Sequence, residues 1–307
     1  MVKASIDIGS NSLLLLVADQ ENQKYQVLED HSWITGLGKG LKGQLKEKKF
    51  DEESKRLTRI AIDEILKILQ KFDVLPEDVI ATATEASRLA IDADEFYNEI
   101  KKDYGINVNI ISAQGEAYYT SLGVSQFFLK ENEITLIDIG GASSELIDIN
   151  CNPFKMKKFK SLPLGSVVTR DLNLDQESLK LKIKGVFREY KLIDDFAPYK
   201  LIGVGGTLTT LATMMRGLSK FKREEIEGLE FNFDESDIFL QKISKLSQDD
   251  LLKHYPFLGK RASTIISGGV LALEFFRALN LKSFTVSTVG LRYGTLSAGE
   301  CDESFIR

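Results

Sequence analysis

Ile134-Thr135-Leu136-Ile137-Asp138-Ile139-Gly140-Gly141-Ala142-Ser143-Ser144-Glu145-Leu146-Ile147-Asp148-Ile149 carries an apolar strand into Asp-Ile-Gly, bends through small residues and leaves on a second apolar strand. The opening of the chain has the same design, Ala4-Ser5-Ile6-Asp7-Ile8-Gly9-Ser10-Asn11-Ser12-Leu13-Leu14-Leu15-Leu16-Val17-Ala18-Asp19. Glycine at the bend meets the steric demand of a sharp turn. The two Asp-Ile-Gly triplets stand 131 residues apart. A solenoid needs at least three short repeats. Two copies at this separation predict a duplicated α/β domain with a cleft between the halves. The charged stretch Lys130-Glu131-Asn132-Glu133 is the expected boundary, giving units 1–130 and 131–307.

Outward from the first hairpin, residues 25–34 read as a strand and the glycine-bearing stretch 35–43 as a loop. Leu57, Ile60, Ala61, Ile65, Ile68 and Leu69 recur at helical spacing and predict a helix over 51–71. Strands follow at 79–82 and 106–111, and helices at 92–103 and 113–129. In the second half, strands are expected at 154–159, 200–204 and 283–287. Helices are expected at 175–190, from 208, at 235–247, at 260–279 and at 291–298.

Composition narrows the function. The chain has 307 residues, 43% hydrophobic and 28% charged, which suits a soluble globular protein with a substantial core. Forty Lys and Arg against 45 Asp and Glu leave a net charge of −5, unlike a nucleic-acid coat or a basic membrane-surface protein. Cys151 and Cys301 have neither zinc nor disulfide spacing and fit a reducing cytosol. Asp7 lies too early for a signal peptide, and the apolar run 13–18 is far short of the roughly 20 residues of a spanning helix. His31 and His254 are isolated, so a histidine metal cluster and a Ser-His-Asp triad are both disfavoured. Gly36-Leu37-Gly38-Lys39-Gly40 lacks the Ser or Thr of a P-loop, and Gly203-Val204-Gly205-Gly206 has the wrong spacing for a dinucleotide fingerprint.

Three turns carry the chemistry: Gly9-Ser10-Asn11-Ser12, Gly140-Gly141-Ala142-Ser143 and Gly205-Gly206-Thr207. Small residues let several backbone N–H groups converge on a phosphate oxygen. The third turn opens a predicted helix, whose N-terminus favours anions. Asp7 and Asp138 precede the first two turns. An acid beside a phosphate nest repels unless a divalent cation intervenes, so both read as Mg²⁺ ligands or as residues that position water.

These residues resemble the actin-like ATPase superfamily, and within it the exopolyphosphatase / guanosine pentaphosphate phosphohydrolase family. The segment Ile6-Asp7-Ile8-Gly9-Ser10-Asn11-Ser12 is similar to that family's first phosphate motif, and Asp138-Ile139-Gly140-Gly141-Ala142-Ser143-Ser144-Glu145 to its second. Ala83-Thr84-Glu85-Ala86-Ser87-Arg88-Leu89-Ala90 resembles its A-T-x-A-x-R-x-A segment. Ile111-Ser112-Ala113-Gln114-Gly115-Glu116-Ala117 resembles the segment bearing its catalytic glutamate. Lys260-Arg261-Ala262 through Gly268-Gly269, and Gly290-Leu291-Arg292-Tyr293-Gly294, resemble its C-terminal signatures. The ordered set spans nearly the whole chain. Ala142 stands where the family usually has a third glycine, and Ser144 where it has threonine. With 307 residues the chain resembles the short, two-domain form.

The resemblance implies duplicated ribonuclease H-like domains around an interdomain cleft. It implies Glu116 as the base that activates water, Arg88 as a clamp on phosphoryl charge, and Asp7, Asp138 and Glu145 as holders of Mg²⁺ or another divalent cation. The three turns, with Arg261 and Arg292, would bind phosphates. The expected substrate is inorganic polyphosphate or pppGpp, with no nucleic-acid or membrane partner. A homodimer would lengthen the groove. A small-molecule kinase of the same superfamily and a non-catalytic polyphosphate or alarmone sensor are the alternatives. Glu85 also lies within reach of Arg88 in sequence. Lys155, Lys157, Lys158 and Lys160 would either track a polyanion or guard a sheet edge against aggregation.

Overall fold

The computed structural model describes residues 1–21, 24–41, 48–192, 196, 198 and 200–307. Positions 42 and 43 of the expected 35–43 loop lie outside the described residues. The first hairpin is β1 (Val2–Ile8) and β2 (Ser12–Glu21), followed by β3 (Lys24–Ile34). Helix α1 (Glu52–Gln70) starts where the Asp51 side chain accepts the Ser54 N–H, and it buries Ala61, Ile62, Ile65, Ile68 and Leu69. Then come β4 (Ile80–Ala83), α2 (Glu85–Leu89), α3 (Ala93–Tyr104), β5 (Val108–Ile110) and α4 (Ala113–Ser125).

The second hairpin is β6 (Glu133–Ile139) and β7 (Ser144–Cys151), followed by β8 (Phe154–Leu162). Next are α5 (Ser166–Asp171), α6 (Gln176–Glu189), β9 (Leu201–Val204), α7 (Gly205–Met215), α8 (Arg223–Ile226) and β10 (Glu230–Asn232). The chain continues through α9 (Phe233–Ile243), α10 (Gln248–His254), α11 (Ile265–Ala278), β11 (Ser283–Val286) and α12 (Leu291–Ala298). The expected helix at 260–279 is interrupted, because 256–263 is a 3₁₀ segment with Gly259 at φ 49°.

Among the described residues the strands form two sheets. One has the order β3-β2-β1-β4-β5 and the other β10-β11-β9-β6-β7-β8. Read from β8, the second repeats the first and adds β10 at its edge. In each, the two hairpin connections are antiparallel and the two inner crossovers parallel. This is the ribonuclease H-like arrangement, present twice. The match reaches irregularities. The first sheet shifts register between Val17 and Ala18, and the second between Asp148 and Ile149, 131 residues later.

The chain divides into one unit of Met1–Val124 with Leu291–Arg307, and a second of Ser125–Gly290. The expected division, 1–130 and 131–307, therefore misplaces the last segment. Helix α12 packs on β1, where Ser5 and Thr295 share a buried 2.7 Å hydroxyl hydrogen bond. Gly294 is required there, since a Cβ would overlap the Tyr119 carbonyl. Each unit has its own apolar core, around Ile6, Leu15, Ile65 and Phe96 in the first and around Leu146, Leu208, Phe275 and Phe276 in the second. Among the described residues no helix is long and apolar enough to cross a membrane.

Candidate active site

In the first unit the hairpin closes with Gly9 N–H donating to the Ser12 carbonyl at 2.9 Å. The carbonyls of Ser10 and Asn11 accept from Gly38, and from Thr35 and Gly36. In a trans peptide the following N–H points opposite to the carbonyl. The amides of Asn11 and Ser12 are thus turned away from the 35–38 strand exit. Gly38 is needed because a Cβ would press into Ser10.

The second hairpin closes the same way, with Gly140 N–H donating to the Ser143 carbonyl at 3.0 Å. Its carbonyls at Gly140 and Gly141 accept from Ser166, Val167 and Val168 at the start of α5. That turns the amides of Gly141 and Ala142 to the other side. Each turn is thus held through two carbonyls by the segment that follows the third strand of its own sheet, at Ser10 and Asn11 in one and at Gly140 and Gly141 in the other. Gly165 and Ser166 were not anticipated as part of this turn. A Cβ on Gly165 would overlap the Gly141–Ala142 peptide, and Ser166 Oγ also donates to the Gly140 carbonyl. The available signal was Gly165-Ser166 ahead of an apolar pair, Val167-Val168.

The catalytic candidates Arg88 and Glu116 meet in the first unit. Arg88 Nη1 donates to Glu116 Oε2 at 3.0 Å and to the Ile111 carbonyl at 2.8 Å. Arg88 is 18% exposed and Glu116 19%, so the pair is only thinly screened by water. Burial pushes the Glu116 carboxyl above its ordinary value; Arg88 opposes this and Glu85 adds to it. Glu116 sits in the first turn of α4, where Ser112 caps the helix by accepting the Gly115 N–H at 3.1 Å. Arg88 of α2 thus forms an ion pair with Glu116 of α4.

In the second unit Asp138 and Glu145 stand directly opposite each other across β6 and β7. Opposed residues of an antiparallel pair share a face, and like charges there are destabilising. Glu145 is 4% exposed and accepts the Ser161 hydroxyl at 2.7 Å. This donor set of two close carboxylates on a rigid ladder suits a hard divalent cation. Asp7 holds the same turn position in the first unit but faces Leu14. Among the described residues no group of three or more His, Cys, Asp or Glu could hold a metal ion.

Gly205 opens α7 with φ 88°, and a Cβ there would overlap Asp138 Oδ1. Gly206 lies against Arg261, with the Cβ position 3.1 Å from Nη2. Arg261 Nη1 donates to Thr210 Oγ1 at 2.9 Å. Burial pulls the Arg261 pKa down. A half-buried cation at the first turn of an 11-residue helix is an electrostatic fit for an anion. Thr207, buried in that same turn, packs under Gly268 of α11.

The sequence profile of the Ppx/GppA phosphatase family matches residues 16–300. The chain belongs to the Ppx/GppA phosphatase family. The exopolyphosphatase of Cytophaga hutchinsonii aligns with a TM-score of 0.85 at 25% identity over 97% of both chains. The PPX-GPPA enzyme of Aquifex aeolicus aligns with a TM-score of 0.81 at 26% identity, covering 97% of this chain and 99% of that one. A bifunctional 3-dehydroquinate synthase/phosphatase of Fusobacterium nucleatum is 29% identical over 296 residues. That match takes in 89% of this chain and 42% of the relative, so the chain spans less than half of that protein.

Arg292 and the lysines of β8 are engaged by neighbouring elements in this Ppx/GppA family member. Arg292 is bonded within the first unit. Its Nη1 donates to the Leu15 carbonyl at 2.6 Å and to Asp30 at 2.7 Å, which ties α12 to the first sheet. The lysines of β8 engage separate partners. Lys157 pairs with Glu133, Lys160 donates to the Tyr190 and Lys191 carbonyls beyond α6, and Lys158 lies over the Phe196 ring. They lie on the edge strand of the second sheet. His31 bonds Glu29 and His254 the Asp250 carbonyl, both remote from the turns in sequence. Cys151 and Cys301 are free thiols.

Proposed function

We propose that this chain is a phosphohydrolase that cleaves the terminal phosphoanhydride of inorganic polyphosphate or of the 5′-triphosphate end of pppGpp. The observation that carries the reading is the half-buried Arg88–Glu116 pair, with the glutamate pKa raised. A carboxylate moved toward neutrality is a better base for water at physiological pH. Water loses its proton to Glu116 as its oxygen bonds the terminal phosphorus. The bridging P–O bond breaks, its electrons stay on the shortened chain, and orthophosphate leaves. Arg88 would neutralise charge on the transferring phosphoryl group. The outward amides of the Gly9 and Gly140 turns, with Arg261 at the start of α7, would hold phosphate oxygens. A Mg²⁺ ion held by Asp138 and Glu145 would neutralise phosphate charge, and Asp7 would position water.

The test is orthophosphate release with Mg²⁺, measured side by side on long-chain polyphosphate and pppGpp. Release that disappears in Glu116→Gln supports the reading, and the preferred substrate separates the two candidates. Undiminished release in that variant overturns Glu116 as the base. Tight binding without release from either substrate overturns the enzyme in favour of a sensor.

A further inference from the structure

The last residues of the described chain run beside the Arg88–Glu116 pair in the first unit. Ser112 N–H donates to the Phe305 carbonyl at 2.7 Å, Ile111 bridges Ile306, and Arg307 N–H donates to the Ile110 carbonyl at 2.8 Å. The segment thus pairs antiparallel beside the exit of β5, where the Ile111 carbonyl receives Arg88. The Phe305 ring lies against Gly115, the neighbour of Glu116, where a Cβ would collide with it. It also packs on Tyr118 and Tyr119, with centroids 5.0 and 5.7 Å away. On the other side, Arg307 Nη1 donates to the carbonyls of Ser87 at 3.1 Å and of Arg88 itself at 3.0 Å. Arg307 Nη2 reaches Asp94 at 3.1 Å.

We propose that residues 305–307 are a positioning segment for the Arg88–Glu116 pair. Phe305 seats the first turn of α4, and Arg307 satisfies the last carbonyls of α2, the orphan groups of a helix C-terminus. Both ends of the ion pair are thereby referred to one short stretch of backbone. Displacements of about 1 Å at a reacting group can cost on the order of a hundredfold in rate. The proposal deepens the catalytic reading of Arg88 and Glu116 and rests on it for its consequence in turnover.

The test compares wild type with Arg307→Ala, Arg307→Lys and Phe305→Ala. The primary readout is the titration of the Glu116 carboxyl by ¹³C NMR, assigned with Glu116→Gln and needing no substrate. The groups facing that carboxyl are Arg88, which favours its ionised form, and Glu85, which opposes it. Loosening Arg88 therefore moves the titration upward in Arg307→Ala, and Arg307→Lys restores part of the shift. In turnover, kcat falls on the order of tenfold or more with KM little changed. An unmoved Glu116 titration in Arg307→Ala, whatever its melting temperature, overturns the proposal. Arg307 is 39% exposed, so this variant stays informative even where Phe305→Ala does not fold. Absence of phosphate release by the wild type counts against the hydrolase reading alone, and the NMR titration still decides the positioning role.

Discussion

Arg88 and Glu116 are joined by a 3.0 Å ion pair whose arginine also grips the Ile111 carbonyl, two positions before the α4 helix begins. The arginine is therefore held by backbone as well as by its acid. That second anchor does not depend on the charge of Glu116, which suits the proposed base, a group that gains and loses a proton.

Replacing Glu116 with Gln keeps the side-chain volume and removes the proposed base. General-base catalysis contributes typically 10²–10⁴-fold. Orthophosphate release from the better of polyphosphate and pppGpp is expected to fall by at least about a hundredfold, while the circular dichroism spectrum stays native.

The raised Glu116 pKa sets the sign of the pH dependence. The base works deprotonated, so kcat/KM rises with pH through that pKa. In Arg88→Ala the charge that favours ionisation is gone, and the acid limb moves to higher pH. Stability runs the other way. The folded state binds this proton more tightly than the unfolded chain, so the group's contribution is lost as pH rises from the ordinary glutamate value through the raised one. Melting curves of wild type and Glu116→Gln over that window should show the wild type losing ground as pH rises.

The Asp138–Glu145 opposition gives a metal signature that needs no substrate. Glu145→Gln removes a like-charge pair, worth roughly 0.2–1 kcal/mol. In chelator its melting temperature is expected to rise above wild type. Added Mg²⁺ stabilises the wild type by mass action and leaves the variant nearly unmoved. Equal Mg²⁺ shifts in both proteins, read by scanning calorimetry, would remove these two residues from the metal site.

Gly205→Ala tests the start of α7. The φ of 88° disfavours any side chain, and the new methyl would meet the Asp138 carboxylate. Strain and overpacking of this kind cost about 1–3 kcal/mol each. Urea titration should show a lower midpoint with an unchanged slope.

What could be read from the residues was local. Asp7-Ile8-Gly9 and Asp138-Ile139-Gly140 exposed the duplication because strand alternation and a glycine bend are written in adjacent positions. The duplicated sheet order followed from them. Arg88 and Glu116 were named from motifs, but their pairing required the β4 and β5 ends to come together, a relation between residues 28 positions apart. Three things were hidden for the same reason. Gly165 supports a turn 24 residues earlier, Arg292 bonds a strand 277 residues earlier, and the short α2 has too few residues to show a period. Lys157 and Lys160 lie three apart in sequence, yet they serve an acid and a helix end on separate elements.

The return of Leu291–Arg307 to the first unit has a consequence for how the chain is made. A ribosome delivers Ser125–Gly290 as one uninterrupted piece, so the second unit can complete its core while translation continues. The first unit, begun earlier, stays without α12 and without the backing of Glu116 until the last codons of this stretch are read. The half that starts first therefore matures last, and the backing of the Arg88–Glu116 pair forms only after the second unit has been made.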